Sequence, residues 1–190
     1  MRRNQPNPYR LARLAYQYTL DSLTYAIKTD DRSVLTGLES GYGDDFTYAA
    51  LFVTLARVLG VPARVVGGVV LSGDDKAYQH FWGEFFIQTI GWVPVDPAFA
   101  DDGFPGSFPI PEDPDEFYFG GLDAHRVTFL RGYDPYPVSS GENRLLQPDD
   151  PYSIQAVYAE VGPGLADPVI QWETPRPTAV YRWAGVNPAD

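Results

Sequence analysis

The sequence predicts an α+β fold in which one buried helix packs against an antiparallel β-sheet. Residues 46–59 are apolar on almost every side, so a helix there has no polar face to leave in water. Three runs rich in valine and aromatic residues follow at 63–71, 78–87 and 92–95, joined by short turns, and they are typical of strands. Aromatic residues make up 15% of the 190-residue chain, which favours sheets with large packed side chains.

The first part of the chain is predicted to form a helix over residues 8–28. Asn7 can cap its N-terminus, and Pro8 suits the first helical position because a missing N–H costs nothing there. Apolar side chains then repeat at helical spacing, so one face of this helix should pack on the rest of the fold. The repeating residues are Leu11, Leu14, Ala15, Tyr18 and Tyr25.

The buried helix is bounded at both ends by residues that stop helices. Gly41 and Gly43 are unfavourable inside a helix, and Asp44 and Asp45 follow them, as acidic residues should at a helix start. At the other end, a Gly-Val-Pro sequence at 60–62 ends the helix and prevents it from continuing.

The later part of the chain has weaker signals. Residues 101–116 are rich in Asp, Pro, Gly and Glu and are predicted to form a surface loop, and strands are expected at 127–130 and 153–160. The sequence therefore predicts one domain over residues 1–160 and a proline-rich, extended C-terminal segment over 161–190.

Composition excludes several functions. The chain has 25 acidic and 14 basic residues, and its net charge of −11 would repel a phosphate backbone, so nucleic acid is not an expected partner. It has no cysteine, which rules out disulfides, zinc–thiolate sites and thiol nucleophiles. No apolar run approaches the roughly 18 residues of a membrane span. The first residues lack the apolar stretch of a signal peptide, and the compartment stays open.

Four short segments occur in an informative order. Residues 41–46 are Gly-Tyr-Gly-Asp-Asp-Phe, and residues 60–64 are Gly-Val-Pro-Ala-Arg. Residues 80–84 are His-Phe-Trp-Gly-Glu, and residues 91–97 are Gly-Trp-Val-Pro-Val-Asp-Pro. Together they resemble the bacterial transglutaminase-like domains of the papain-like cysteine-protease superfamily, whose pattern is G-x-C-x-D/E-F/Y, G-I/V-P-A-R, H-x-W-x-E and G-W-x-x-V/L/F-D-P. The resemblance is close over residues 35–100.

The resemblance implies a cysteine nucleophile at the start of the buried helix, activated by a histidine that a carboxylate orients. It places His80 in the position of the base and Asp96 in the orienting position, on neighbouring strands. The position of the cysteine is occupied by Gly43. Because glycine has no side chain with which to attack a carbonyl, we expect no thiol catalysis, and the His80–Asp96 pair should face an empty notch.

Other roles for these residues stay open. The resemblance places Tyr42, Asp44 and Trp82 around the nucleophile position, where they are candidates for substrate binding, although Trp82 could simply pack in the core. His80 bonded to Asp96 could be purely structural, and Asp96 before a proline could begin a turn. A metal site is disfavoured because only one histidine lies near the carboxylates, and no cofactor is predicted.

These observations lead to three functional hypotheses. The first is an inactive transglutaminase-like domain kept for binding a peptide or protein segment, or a neighbouring domain of a longer chain. The second is an active cysteine amidase, peptidase or transglutaminase whose nucleophile has been replaced by Gly43 in this sequence. The third is a hydrolase without a nucleophile, in which His80 activates a water molecule held in the notch.

Overall fold

The computed structural model of the protein describes residues 7–27, 32–72, 76–105, 108–132, 140–146, 159–166 and 168–169. The helices are α1 (Pro8–Ser22), α2 (Val34–Ser40), α3 (Asp45–Val58), α4 (Pro97–Asp101) and α5 (Pro114–Phe117). The strands are β1 (Thr24–Tyr25), β2 (Tyr42–Gly43), β3 (Ala63–Leu71), β4 (Ala77–Ile87), β5 (Gly91–Val95), β6 (Arg126–Arg131), β7 (Arg144–Leu146) and β8 (Ala159–Val161). The predicted α+β class is confirmed.

The centre of the fold is a four-stranded antiparallel sheet with the strand order β5-β4-β3-β6. The strands predicted at 63–71, 78–87 and 92–95 are present as β3, β4 and β5, each within one residue of its predicted ends. In the β3–β4 ladder Gly68 lies opposite His80. Strand β3 pairs with residues 77–85 of β4, whereas β5 pairs only with residues 83–87, beyond His80.

Helix α3 is the buried helix that the sequence predicted, and it packs on the sheet. Phe52 is fully buried, and the centre of its ring lies 6.3 Å from that of Phe85 in β4. The side chain of Asp44 caps the helix by accepting a hydrogen bond from the backbone N–H of Thr47 at 3.0 Å. Burial of a phenylalanine contributes about 1.5–3 kcal/mol, so such contacts hold α3 against the sheet.

Helix α1 ends at Ser22, so the predicted helix over residues 8–28 is too long. Leu23 is already extended, and β1 follows at once and pairs in parallel with β2. The backbone N–H of Ala26 donates to the carbonyl oxygen of Gly43 at 2.9 Å. This pairing satisfies backbone groups that a longer helix would have used, and local periodicity gives no sign of it because the partner strand is distant in sequence.

Helix α2 is an element that the hydrophobic pattern does not reveal, because it is only seven residues long and contains Gly37. Ser33 caps its N-terminus by accepting from the backbone N–H of Thr36. Gly41 ends the helix at a φ angle of 75°, a left-handed conformation that glycine adopts without steric cost. This turn leads the chain directly into β2 and then to the start of α3.

The later predictions had mixed outcomes. The strand expected at 127–130 is present as β6, whereas the loop expected over 101–116 contains the short helix α5. The strand expected over 153–160 lies mostly outside the described residues, although its end belongs to β8, which pairs with β7. The boundary between 1–160 and 161–190 stays a prediction for the same reason. Among the described residues, no helix combines the length and apolar character needed to cross a membrane.

Candidate functional site

His80 and Asp96 lie next to each other in the interior of the domain. His80 is on β4, and Asp96 follows the last residue of β5, the neighbouring strand. His80 Nε2 lies 2.7 Å from Asp96 Oδ2, so the predicted contact is present. Asp96 Oδ1 accepts from the backbone N–H of Phe99 and thereby caps α4. His80 is 3% exposed and Asp96 0%, so the pair is shielded from water.

The second ring nitrogen of His80 also contacts a carboxylate, which was not predicted. Asp45 is the first residue of α3, and its Oδ2 lies 3.1 Å from His80 Nδ1. The backbone N–H of Phe81 donates to the same oxygen at 3.1 Å. A signal for this contact exists in the sequence, because Asp45 occupies the acidic position of the motif, just before Phe46. From the sequence alone, the same residue is also explained by the favourable charge that it places at the start of a helix.

Two arginines whose side chains are mostly buried, Arg126 at 5% exposed and Arg32 at 14%, lie at the ends of this arrangement. Arg126 on β6 lies 2.5 Å from Asp96 Oδ2 and 2.7 Å from Asp123 Oδ2. Arg32, shortly before α2, lies 2.9 Å from Asp45 Oδ1 and also pairs with the aspartate that caps α3. Positive and negative groups therefore alternate through the core. We call the resulting set the charge chain: Arg126, Asp96, His80, Asp45 and Arg32.

The surroundings of the charge chain set its protonation state. Burial alone would raise the pKa of Asp96, but the charges of His80 and Arg126 lower it to about 2. Burial alone would lower the pKa of His80, but Asp96 and Asp45 outweigh it and raise the pKa above the ordinary 6.5. Desolvation raises the pKa of Asp44 in spite of its ion pair. At neutral pH these shifts favour an ionised Asp96 and a protonated His80.

Gly43 faces packed side chains. A Cβ atom at this position would lie 2.9 Å from Thr47 Cγ2 and 3.2 Å from Leu23 Cδ1, both tighter than ordinary contacts. A Cβ atom at Gly37 would meet the same methyl group at 2.6 Å. The Thr47 methyl group therefore lies between two bare glycines. The expectation of an empty notch beside Gly43 is wrong, because the buried Thr47 side chain fills that space.

The three candidates for substrate binding differ in accessibility. Tyr42 is 54% exposed on β2. Asp44 is buried and engaged as the cap of α3. Trp82 is also buried, and its ring lies 6.2 Å from that of His80 at an angle of 19°. The indole N–H of Trp82 has no hydrogen-bond partner in the part of the chain that the structure describes. Of the three, only Tyr42 presents a large surface to solvent.

The charge chain can hold a proton on His80 tightly, but its groups are already paired with one another and offer few contacts to a substrate. Both nitrogens of His80 already face carboxylates, and the rings of Trp82 and Phe99 flank the imidazole. Within the described ranges, no group of three or more histidine, cysteine, aspartate or glutamate side chains is placed to hold a metal ion. The carboxylates are paired with arginines instead.

Comparison with known families accounts for the motif order. The family model of the transglutaminase-like superfamily matches residues 1–97, just over half of the chain. The chain belongs to the transglutaminase-like superfamily. The matched part of this transglutaminase-like domain includes α3 and β3 to β5, and with them Gly43, His80 and Asp96.

Several individual proteins resemble this transglutaminase-like domain at 29% sequence identity or less. An uncharacterised protein of Haemophilus influenzae is 29% identical over a match that covers 56% of this chain and 36% of that protein. The periplasmic domain of TgpA from Pseudomonas aeruginosa is 22% identical with a TM-score of 0.37, covering 52% of this chain and 46% of the other. A cysteine-protease candidate from Cytophaga hutchinsonii is 14% identical with a TM-score of 0.38, covering 92% and 57%. The chain thus spans 36% of the length of its curated relative.

Proposed function

We propose that this transglutaminase-like domain is catalytically inactive and is retained for binding, either of a peptide or protein segment or of a neighbouring domain in a longer chain. The observation that carries the proposal is the absence of cysteine from the chain. Neither Gly43, where the motif spacing places the nucleophile, nor Asp45, which faces His80, can supply a thiol. Loss of a triad nucleophile removes a factor of about a million in rate, so the remaining His80 and Asp96 supply almost none of the family's chemistry.

The contacts of His80 argue against catalysis by activated water. A general base must have a nitrogen free to accept a proton from that water. Here Nε2 is held by Asp96 and Nδ1 by Asp45, at 2.7 and 3.1 Å. An imidazole that donates to two carboxylates has no lone pair left to accept a proton. This supports an inactive domain over a hydrolase without a nucleophile.

The side chains around Gly43 leave no space for a larger residue at this position. If an active enzyme had simply lost its cysteine side chain, a gap should remain where that side chain was. Instead, Thr47 Cγ2 would be only 2.9 Å from a Cβ atom at position 43. The neighbouring side chains thus suit glycine, which argues against an active enzyme that lost a cysteine side chain from position 43.

The proposed binding role rests on the exposed surface beside the site. Tyr42 directly precedes Gly43 and is 54% exposed, whereas His80 on β4 is 3% exposed. A peptide lying along the start of α3 would therefore meet the tyrosine ring rather than the imidazole. Tyrosine is common at protein interfaces because it offers an apolar ring and a hydrogen-bonding hydroxyl.

Inactivity is tested with casein and a fluorescent primary amine as transglutaminase substrates, and with a glutamine-containing peptide for amide hydrolysis. Both rates should equal those of the buffer blank, because the site holds no nucleophile. His80→Gln, which removes the imidazole of the candidate site, should behave like the wild type. A rate above the blank that disappears in His80→Gln would contradict the proposal and support activation of water by His80.

Binding is tested with fluorescein-labelled peptides from denatured casein, measured by fluorescence anisotropy. Tyr42→Ala should weaken binding about tenfold, as expected for an aromatic residue at the centre of an interface. The matched control is Tyr18→Ala, because Tyr18 lies on α1 and is 53% exposed, nearly as much as Tyr42. Equal affinities for the two variants would show that the surface at Tyr42 is not the binding site.

A further inference from the structure

We infer that Asp45 occupies the place that a nucleophile would need at His80 Nδ1, and that it makes the imidazole a permanent internal cation. The inference goes beyond the proposed loss of activity, because it assigns His80 and Asp45 a new structural role. It rests on three features of the charge chain: the donors that fix Asp45, the two carboxylates on one imidazole, and the balance of buried charge.

The carboxylate of Asp45 is fixed by four donors, two on each oxygen. Oδ1 accepts from the backbone N–H of Phe46 at 2.8 Å and pairs with Arg32 at 2.9 Å. Oδ2 accepts from the backbone N–H of Phe81 at 3.1 Å and faces His80 Nδ1 at the same distance. A carboxylate held in this way cannot rotate to leave Nδ1 open without losing several hydrogen bonds at once. Asp45 is therefore a built-in partner of the imidazole.

The second feature is the position of the imidazole between two carboxylates. Neutral imidazole has one N–H and one lone pair, whereas imidazolium has two N–H groups. Because Asp96 faces Nε2 and Asp45 faces Nδ1, a neutral His80 would direct its lone pair at one of the two anions. The ring of Phe99, 4.2 Å away, helps to keep out water that could separate them. Only the imidazolium satisfies both carboxylates.

The third feature is the balance of charge around His80. Asp45 reaches it from α3 and Asp96 from the end of β5. Beyond them lie Arg32 and Arg126, which in turn contact Asp44 and Asp123. In this described cluster, four carboxylates face three cations when His80 is protonated, and only two when it is neutral. Loss of the proton would raise the excess of negative charge in this cluster from one to two.

The protonation state can be measured directly, because the chain has only two histidines. The experiment follows the ring nitrogen chemical shifts of the wild-type protein by NMR from pH 5 to 9, with His125→Gln to assign the signals. We expect both nitrogens of His80 to stay protonated through pH 8. In Asp45→Asn, which keeps the shape but removes the charge, His80 should lose its proton at lower pH than in the wild type. A wild-type His80 that becomes neutral near the ordinary 6.5 would overturn the inference.

The pH dependence of stability provides a second measurement of the proton on His80. The raised pKa of His80 means that the folded state keeps a proton that the unfolded state releases above about pH 6.5. The stabilisation is therefore complete below that pH and is lost as pH rises through the folded-state pKa. In this window the folding equilibrium constant should fall up to about tenfold per pH unit.

Urea unfolding at pH 6, 7, 8 and 9 should show this decline in the wild type and in His125→Gln, but not in His80→Gln. A decline of equal size in all three proteins would contradict the inference. Failure of either measurement would leave the proposed absence of thiol catalysis untouched, because enzymatic turnover is tested separately. Conversely, unexpected turnover with a protonated His80 would overturn the proposed function and not the role of Asp45.

Discussion

Replacing Asp96 by asparagine should lower the free energy of unfolding by about 3–5 kcal/mol, because it removes one partner of a buried ion pair and leaves the others uncompensated. Asp96 is completely buried and contacts both His80 and Arg126 through Oδ2. Asparagine keeps the size and can still accept the hydrogen bond from Phe99 that caps α4. The loss would therefore report on the charge, and neither on a cavity nor on a missing cap.

The matched control for this substitution is Glu116→Gln, another change from a carboxylate to an amide. Glu116 pairs with Arg13, but its side chain is 70% exposed, and exposed ion pairs contribute at most about 1 kcal/mol. Urea unfolding at pH 7 measures both variants against the wild type. If the two substitutions cost the same, the charge chain has no special role in stability.

A cysteine placed at position 45 should be activated, whereas one placed at position 43 should not. Motif spacing alone would assign the activated thiol to position 43. The structure instead places Asp45 against His80 Nδ1 and within reach of the Phe81 backbone N–H. A thiolate in place of this carboxylate would have an imidazolium and the start of α3 beside it, and such surroundings lower a thiol pKa from about 8.5 to between about 3.5 and 7.5.

At position 43 the same substitution should instead strain the fold. The nearest atoms to an added Cβ belong to Thr47 and Leu23, and overpacking of this kind costs about 1–3 kcal/mol. Thr47→Ala removes the closest of these atoms, so Gly43→Cys combined with Thr47→Ala should recover part of the lost stability. The combined variant is therefore the fair comparison for thiol reactivity.

The main strands and the buried helix could be predicted from the sequence because their signals are local. Residues 63–71 are rich in valine, as strands often are, and 46–59 lack a polar face. Helix α2 and the end of α1 could not be predicted in this way. The first is short and contains Gly37, and the second is decided by the pairing of β1 with β2, two segments separated by α2.

In the candidate site, too, some contacts have a sequence signal and others depend on long-range packing. The contact between His80 and Asp96 could be predicted, because the motif places them on neighbouring strands. The contacts of Arg126 and Arg32 depend on how β6 and the segment before α2 pack against the sheet, and no sequence spacing specifies that. Thr47 is a similar case, since only its packing shows that it fills the space beside Gly43.

The most direct test of the account is the pH dependence of alkylation by iodoacetamide in two variants, Asp45→Cys and Gly43→Cys with Thr47→Ala. Limited access of iodoacetamide to a buried thiol lowers the alkylation rate by the same factor at every pH. The midpoint of the pH profile still reports the thiol pKa, so the two variants can be compared. The account predicts a midpoint below about 7.5 for Asp45→Cys and one at or above the ordinary value of about 8.5 for the other variant. The opposite order would show that His80 is directed at position 43, and that Asp45 does not stand in the place of the nucleophile.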